Sequence, residues 1–255
     1  MNIEYISTSN WENAFRGMRN PYDSWEKSDS KFGLNYVGAI TEQLGKTHPH
    51  LNKKDWCIRQ EGELCDVAAL GLKDIELAQK LIKGGPVHSK FLRQIFISMD
   101  ITAPLYIWKE LDTYKVATTA NSCSTMHTIQ NYPIDMGSFE IEDIEQEICG
   151  DFVDQNLIPF LEDLRNKYNT IKKASWDTED PEKAKELTKE ANKYWKELIR
   201  WLPESWLQKR TWTANYETAR NILKWRDPHK LTEWEPICDA LKSLPYAEHL
   251  LTFNQ

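Results

Sequence analysis

The side chains best suited to chemistry lie far apart along the chain. Arg16 and Arg19 flank Gly17, and paired planar guanidinium forks around a glycine can approach a phosphate closely, although a purely solvated role is the commoner one. His48, His50 and Cys57 bring metal-binding side-chain types together, but no four-ligand spacing accompanies them and no metal is assigned. The five cysteines, Cys57, Cys65, Cys123, Cys149 and Cys238, are odd in number and scattered, without a Cys-x-x-Cys pair. With no signal-peptide pattern at the start, they imply a reducing, cytoplasmic setting. Eleven tryptophans supply core and interface area first, and base stacking only as a lesser use of any one of them.

The 39 acidic residues against 32 Lys and Arg oppose nonspecific attraction to a nucleic-acid polymer or an anionic membrane, so any nucleotide contact must be local. No apolar run reaches the length of a membrane span; Arg93 and Gln94 interrupt Leu92–Ile97. The 255 residues can bury a full core as one large domain or two small ones.

Several elements are needed to position these groups. Residues 1–70 have weak periodicity and predict loops and short helices. Leu72, Ile75, Ala78, Leu81 and Ile82 fall on one helical face, and Gly84, Gly85 and Pro86 end that helix after Lys83. Ile95, Ile97, Met99 and Ile101 alternate with Phe96, Ser98 and Asp100, which predicts a strand over 94–101. Thr102 then caps a helix from Pro104 to about Asp112. Residues 139–172 read as a helix kinked or divided at Pro159, followed by a loop over 174–180. A charged, solvated helix runs from Pro181 to about Leu202, and another from Trp212 to Trp225. A last helix lies near Pro236–Leu244; Thr232 with Glu235 and Pro236 give two different starts for it.

Two segments carry a resemblance. Gly84–His127 combines a Gly-His-type turn, a strand, Ala103-Pro104 opening a helix, and a polar signature. It resembles the motif region of the flavin-dependent thymidylate synthases, whose signature is Arg-His-Arg-x-x-Ser, four residues, then Ser-x-Arg. Here the signature falls on Thr113-Tyr114-Lys115, Thr118, and either Cys123 and Thr125 or, with one insertion, Ser124 and Met126. The second segment, Leu202-Pro203 through Trp212-Thr213-Ala214-Asn215 to Asn221 and Arg226, is similar to the family's Leu-Pro, Trp-Thr-x-Asn and Leu-Arg run. His229 and Glu235 stand for its close.

The resemblance implies an α+β fold, with a small, mostly antiparallel sheet flanked by helices. It implies one domain over 1–255 with a divergent segment 1–70, assembled as a homotetramer. It places His88, Lys115, Asn215 and Asn221 at an FAD site, and Arg226, Glu110 and Ser124 at a dUMP site. Methylenetetrahydrofolate and NADPH follow only for an active enzyme. No catalytic residue is assigned, and Cys123 is expected to be a small buried hydrophobe rather than a nucleophile. Arginine suits a phosphate or a pyrimidine carbonyl, whereas Lys115 keeps charge without the bidentate geometry of the arginine it replaces. The implied function is dTMP synthesis by one-carbon and hydride transfer; an inactive nucleotide-binding protein and a structural oligomer are the alternatives.

Overall fold

The computed structural model describes residues 1–36, 46, 48–50 and 64–255. Its strands are β1 (Asn2–Ser9), β2 (Lys31–Tyr36), β3 (Leu64–Ala69), β4 (Phe96–Pro104), β5 (Thr119–Ser122) and β6 (Leu207–Asn215). Its helices are α1 (Trp11–Arg19), α2 (Leu72–Lys83), α3 (Leu105–Leu111), α4 (Thr125–Thr128), α5 (Ile158–Asp177), α6 (Pro181–Arg200), α7 (Tyr216–Arg226), α8 (Trp234–Lys242) and α9 (Ala247–Leu250). The fold mixes helices with a small antiparallel sheet that they flank. Four strands pair in the order β1-β4-β6-β5, and β2 pairs antiparallel with β3, from Lys31 opposite Ala69 to Tyr36 opposite Leu64. Among the described residues no helix is long and apolar enough to cross a membrane.

Contacts divide the chain into two compact units. The larger comprises residues 2–101, 112–121 and 211–255. Helix α2 begins and ends where its periodicity predicts, but a residue remote in sequence caps it. The Asp29 carboxylate accepts from the amides of Lys73 and Asp74 at 3.0 and 3.2 Å, satisfying two first-turn donors. Gly71 is required there, because a Cβ would collide with that carboxylate and come within 2.6 Å of the Asp29 carbonyl oxygen.

A buried aromatic group closes this unit: Trp11 meets Tyr216 and Tyr246 edge-on, with centroids 5.1 and 5.6 Å away. Buried hydroxyls need partners, and these have them. Tyr216 donates to the Pro245 carbonyl, while Tyr246 donates to the Ala68 carbonyl and accepts from the Leu70 amide. Burial also pushes the Tyr216 phenol well above its ordinary pKa.

The second unit holds Met1 with residues 102–111 and 122–210. It is dominated by the hairpin of α5 and α6. Leu161, Leu164 and Leu198 from that hairpin pack with Ile129, Phe139 and Val153 into one core cluster. Asp180 caps α6 by accepting from the Glu182 and Lys183 amides, with Pro181 in the first turn, where its missing N–H costs nothing.

Several expectations are corrected. Residues 1–36 and 64–69 contain three strands and helix α1, not loops and short helices alone; residues 37–45, 47 and 51–63, Cys57 included, lie outside the described residues. His48 and His50 turn their Nε2 atoms to the backbone carbonyls of Asp29 and Leu70. Gln94 and Ile95 precede β4, and the strand runs on through Pro104, so Thr102 caps nothing. Pairing in the sheet overrides the capping signal, and Pro104, lacking a donor, falls on the strand's last residue.

Helix begins only at Gln146 rather than at 139, and it is divided at Pro159 as expected: π-helical turns Gln146–Gly150 and Val153–Leu157 lead into α5, which has Pro159 in its first turn. The helix continues to Asp177, which leaves only 178–180 as the loop. Trp212–Asn215 belongs to β6, where Trp212 and Ala214 are buried in alternation, and the helix begins only at Tyr216. The last helix starts at Trp234, ahead of Pro236, and α9 follows it.

Candidate functional site

In the larger unit, the loop 113–118 is held against both ends of α7. Asn215, fully buried at the N-cap of α7, accepts from the Thr218 amide at 2.9 Å through its side-chain oxygen. Its Nδ2 is a buried donor with no partner among the described residues. Thr218 hydroxyl donates to the Val116 carbonyl at 3.0 Å, which docks the loop on the first turn of the helix. Inside the loop, Thr118 donates to the Tyr114 carbonyl and Ala117 takes a positive φ of 55°, which tightens the turn.

At the other end of α7, the Arg226 Nε donates to the Tyr114 hydroxyl at 3.1 Å. Its guanidinium lies 4.9 Å from the Trp234 ring and 5.8 Å from that of Tyr114, within cation–π range of both. One Nη lies 3.1 Å from the Nε2 of His229, whose Nδ1 is 3.1 Å from the Leu231 amide. A neutral imidazole has a single acceptor nitrogen, so His229 accepts from Arg226 or from Leu231, not from both. The Arg226 fork is thus aimed by two aromatic rings and a tyrosine hydroxyl, while its bond to His229 is one the imidazole can exchange for another. An anion that replaced His229 would leave the imidazole free to accept from Leu231.

The other residues singled out from the sequence are placed as follows. Lys115 is exposed on the docked loop, and Asn221 is exposed on α7. His88 lies over Gly84, where a Cβ would come within 3.1 Å of its ring. It lines a cavity of about 880 Å3, of a size that takes a cofactor, together with Arg19, Lys27, Lys90 and Arg93. None of Lys115, Asn215, Asn221 and Arg226 lines that cavity. In the second unit, half-buried Glu110 lies on α3, and Ser124 stands at the N-cap of α4, where its carbonyl accepts from the His127 and Thr128 amides. The loop 113–118 and the two ends of α7 are therefore brought together by named contacts, and His88 belongs to a separate cavity wall.

Three neighbours of the site were not expected. Trp234 under Arg226 gave no signal beyond its aromatic bulk. Tyr114 stood in the motif as a departure from histidine, and His229 as its shifted end; neither pattern says that they meet one guanidinium. Cys123 corrects another expectation, since it is exposed. Burial instead marks Cys238, whose thiol is pushed up to about 12 and lies 3.6 Å from the Arg226 carbonyl oxygen.

No protein-family model matches the chain, and no curated protein matches it. Among solved structures it is similar to the flavin-dependent thymidylate synthase ThyX of Helicobacter pylori complexed with FAD and dUMP. The likeness spans 100% of this chain and 98% of that one, at 18% identity and a TM-score of 0.52. A second structure of ThyX from Helicobacter pylori, also with FAD and dUMP, is similar over the same shares at 16% identity and a TM-score of 0.51. At such identities the likeness establishes the fold.

Proposed function

We propose that the chain is a divergent relative of the flavin-dependent thymidylate synthases that binds a uridine-type nucleotide such as dUMP, with FAD as its cofactor, in one-carbon and hydride transfer for dTMP synthesis. The observation that carries this reading is the guanidinium of Arg226, aimed by Tyr114 and Trp234, on a fold shared end to end with proteins complexed with both ligands. A half-buried arginine held on two rings presents a planar fork suited to a phosphate or a pyrimidine carbonyl.

The residues present fit a flavin dinucleotide in their chemistry. Lys27 and Lys90 line the cavity with His88 and with Arg93, which is paired with Glu217, and the two lysines suit a pyrophosphate. When bound, FAD would supply the hydride; the chain's own groups would bind, orient and neutralise charge. The assembly that goes with this reading is a homotetramer.

A second reading, nucleotide binding without hydride transfer, is favoured by one specific feature. Thr113-Tyr114-Lys115 stands where the resembled family has Arg-His-Arg, and the Tyr114 hydroxyl is already engaged with Arg226. Two measurements separate the readings. The absorption spectrum of the purified protein, with and without added FAD, shows a flavin bound to an enzyme of this type and none for the second reading. Calorimetry with dUMP should show Arg226→Ala weakened by about 1.5–3 kcal/mol, the range for a hydrogen bond to a charged group, with an unchanged circular dichroism spectrum. Equal affinity in the two folded proteins would remove Arg226 from the site.

A further inference from the structure

The second unit contains a basic groove that shares no residue with the sites described above. Its volume is about 770 Å3, and α6 contributes Lys185, Lys189, Lys193 and Lys196 to its wall. These positions are four, four and three residues apart, so they form one stripe about 16 Å long on a helix rising about 1.5 Å per residue. Like charges at such spacing repel and weaken a helix. Three other cations of the hairpin are neutralised: Arg165 pairs with Glu162, Lys167 with Asp163 and Arg200 with Glu197. None of the four stripe lysines forms an ion pair within the described residues, and no Asp or Glu lines the groove.

Across from the stripe, the groove is walled by His127 and Gln130 near α4 and by Tyr168 on α5, and Trp195 of α6 also contributes. Trp195 is fixed by donating its indole N–H to the Met126 carbonyl at 3.2 Å. Gln130 holds its amide nitrogen on the His127 carbonyl, which leaves its Oε1 as a buried acceptor with no partner among the described residues. A donor on a ligand would satisfy that oxygen, which counts because an unpaired buried acceptor is costly.

We infer that this groove binds a small polyphosphate anion of the nucleoside triphosphate class. Successive lysines lie about 4.5–6 Å apart along the helix axis, so one chain of phosphates can face two or three of them. Tyr168 and Trp195 offer ring surface for a base, and Gln130 offers an acceptor for an amino or ring N–H group. The volume lies within the usual range for a small-molecule site. The chain's net charge of −7 opposes the long phosphate track of a nucleic acid, and this decides between a small ligand and a polymer.

The test uses the full-length protein at about 50 mM salt, where screening is modest. Calorimetry with inorganic tripolyphosphate and with ATP should show binding of both. The double variant Lys189→Gln/Lys193→Gln should bind each at least about tenfold more weakly, as expected for losing two charge-assisted contacts. Lys173→Gln/Lys183→Gln, which removes the same charge outside the groove, should bind as the unaltered chain does. The stripe variant should melt no lower than the unaltered chain, because it relieves repulsion between neighbouring lysines. Arg226→Ala should bind ATP unchanged, so this inference and the dUMP reading can fail separately. Absence of binding at millimolar ATP would overturn the proposal, as would equal affinity in the stripe variant. Tighter binding of an eight-nucleotide thymidylate than of ATP would replace the small ligand with single-stranded DNA. A changed oligomeric state in the stripe variant without ligand binding would make the face an interface between copies.

Discussion

Arg19 shows how a side chain suited to ligand chemistry can be committed to the fold. Its Nε and Nη2 both lie 2.6 Å from the Oδ1 of Asp74, and the two side chains are only 7% and 0% exposed. Ser28 and Ser30 donate to the other oxygen at 2.6 and 2.5 Å. Breaking such a pair leaves a buried charge unpaired, which costs about 3–5 kcal/mol, whereas replacing both partners by apolar groups is far less harmful. Asp74→Ala should therefore lower the urea unfolding free energy by about 3–5 kcal/mol, and Arg19→Met/Asp74→Leu should recover most of the loss. A loss below about 1 kcal/mol in Asp74→Ala would show that water reaches the arginine.

The cysteines make a second residue-scale contrast. Burial holds Cys238 protonated up to about pH 12, while Cys123 and Cys149 are exposed. The thiolate is the nucleophile, so iodoacetamide at pH 8 should label Cys123 and Cys149 in the native protein long before Cys238, as read by peptide mass spectrometry. Labelling of Cys238 at the same rate would mean that α8 opens readily.

At the scale of elements, the segment leading into α5 is clamped by a carboxylate. Glu162 accepts from the Ile134 amide at 2.8 Å and takes Arg165 in a two-pronged pair at 2.6 and 2.8 Å. Arg165 and Asn169 also donate to the Gln130 carbonyl. The hydrogen bond from Arg165, assisted by the Ile134 amide, holds the Glu162 carboxyl below its ordinary pKa of 4.5, against the opposing effect of burial. A depressed folded-state pKa adds stability that is present above the unfolded value and disappears as pH falls through the folded one. Glu162→Gln should thus be less stable than the unaltered chain at pH 7, and the gap should narrow below about pH 4.5. Urea midpoints at pH 7 and pH 3 check this; a constant gap would assign the effect to packing.

The same scale explains which elements could be read from sequence. Helix α2 was legible to the residue because five apolar positions and a Gly-Gly-Pro stop agree. The N-cap of α6 was legible because Asp180-Pro181 is local chemistry. Strand β6 was not: Gln208, Lys209 and Arg210 mask its alternation, and Trp212 also fits the helical spacing that continues into α7. Only Asn215, as a cap with extended backbone, marks where the strand ends. Of the motif residues, the loop 113–118 contacts α7 through Thr218 and Arg226, while Asn215 caps the opposite end of that helix from Arg226 and His88 lines a separate cavity; the tertiary partners Trp234 and His229 were not assigned to Arg226. Asp180→Ala should cost about 1 kcal/mol by thermal or urea unfolding, through loss of the α6 cap. A change within about 0.3 kcal/mol would mean that packing of the hairpin alone orders that turn.

At the scale of the whole molecule, the two opposing forces on assembly can be separated. Trp25, Trp176, Trp201 and Trp225 are exposed in the single chain, at 44%, 72%, 57% and 67%. Aromatic surface of this kind favours contacts between copies, which supports the homotetramer proposed from the family resemblance. A net charge of −7 on every copy acts against it, because like-charged copies repel over about a Debye length. Salt screens the repulsion but leaves burial of apolar surface intact, so raising it should tighten the assembly. Light scattering at micromolar protein should read four times the chain's mass, and dilution at about 0.5 M salt should dissociate it less than dilution at about 0.05 M. Trp176→Ser/Trp201→Ser should dissociate at higher protein concentration than the unaltered chain if the exposed rings of α5 and of the residue after α6 form the contact. A strict monomer at every salt concentration would remove the tetramer, and dissociation that increases with salt would mean that ion pairs, not tryptophan burial, hold the copies together.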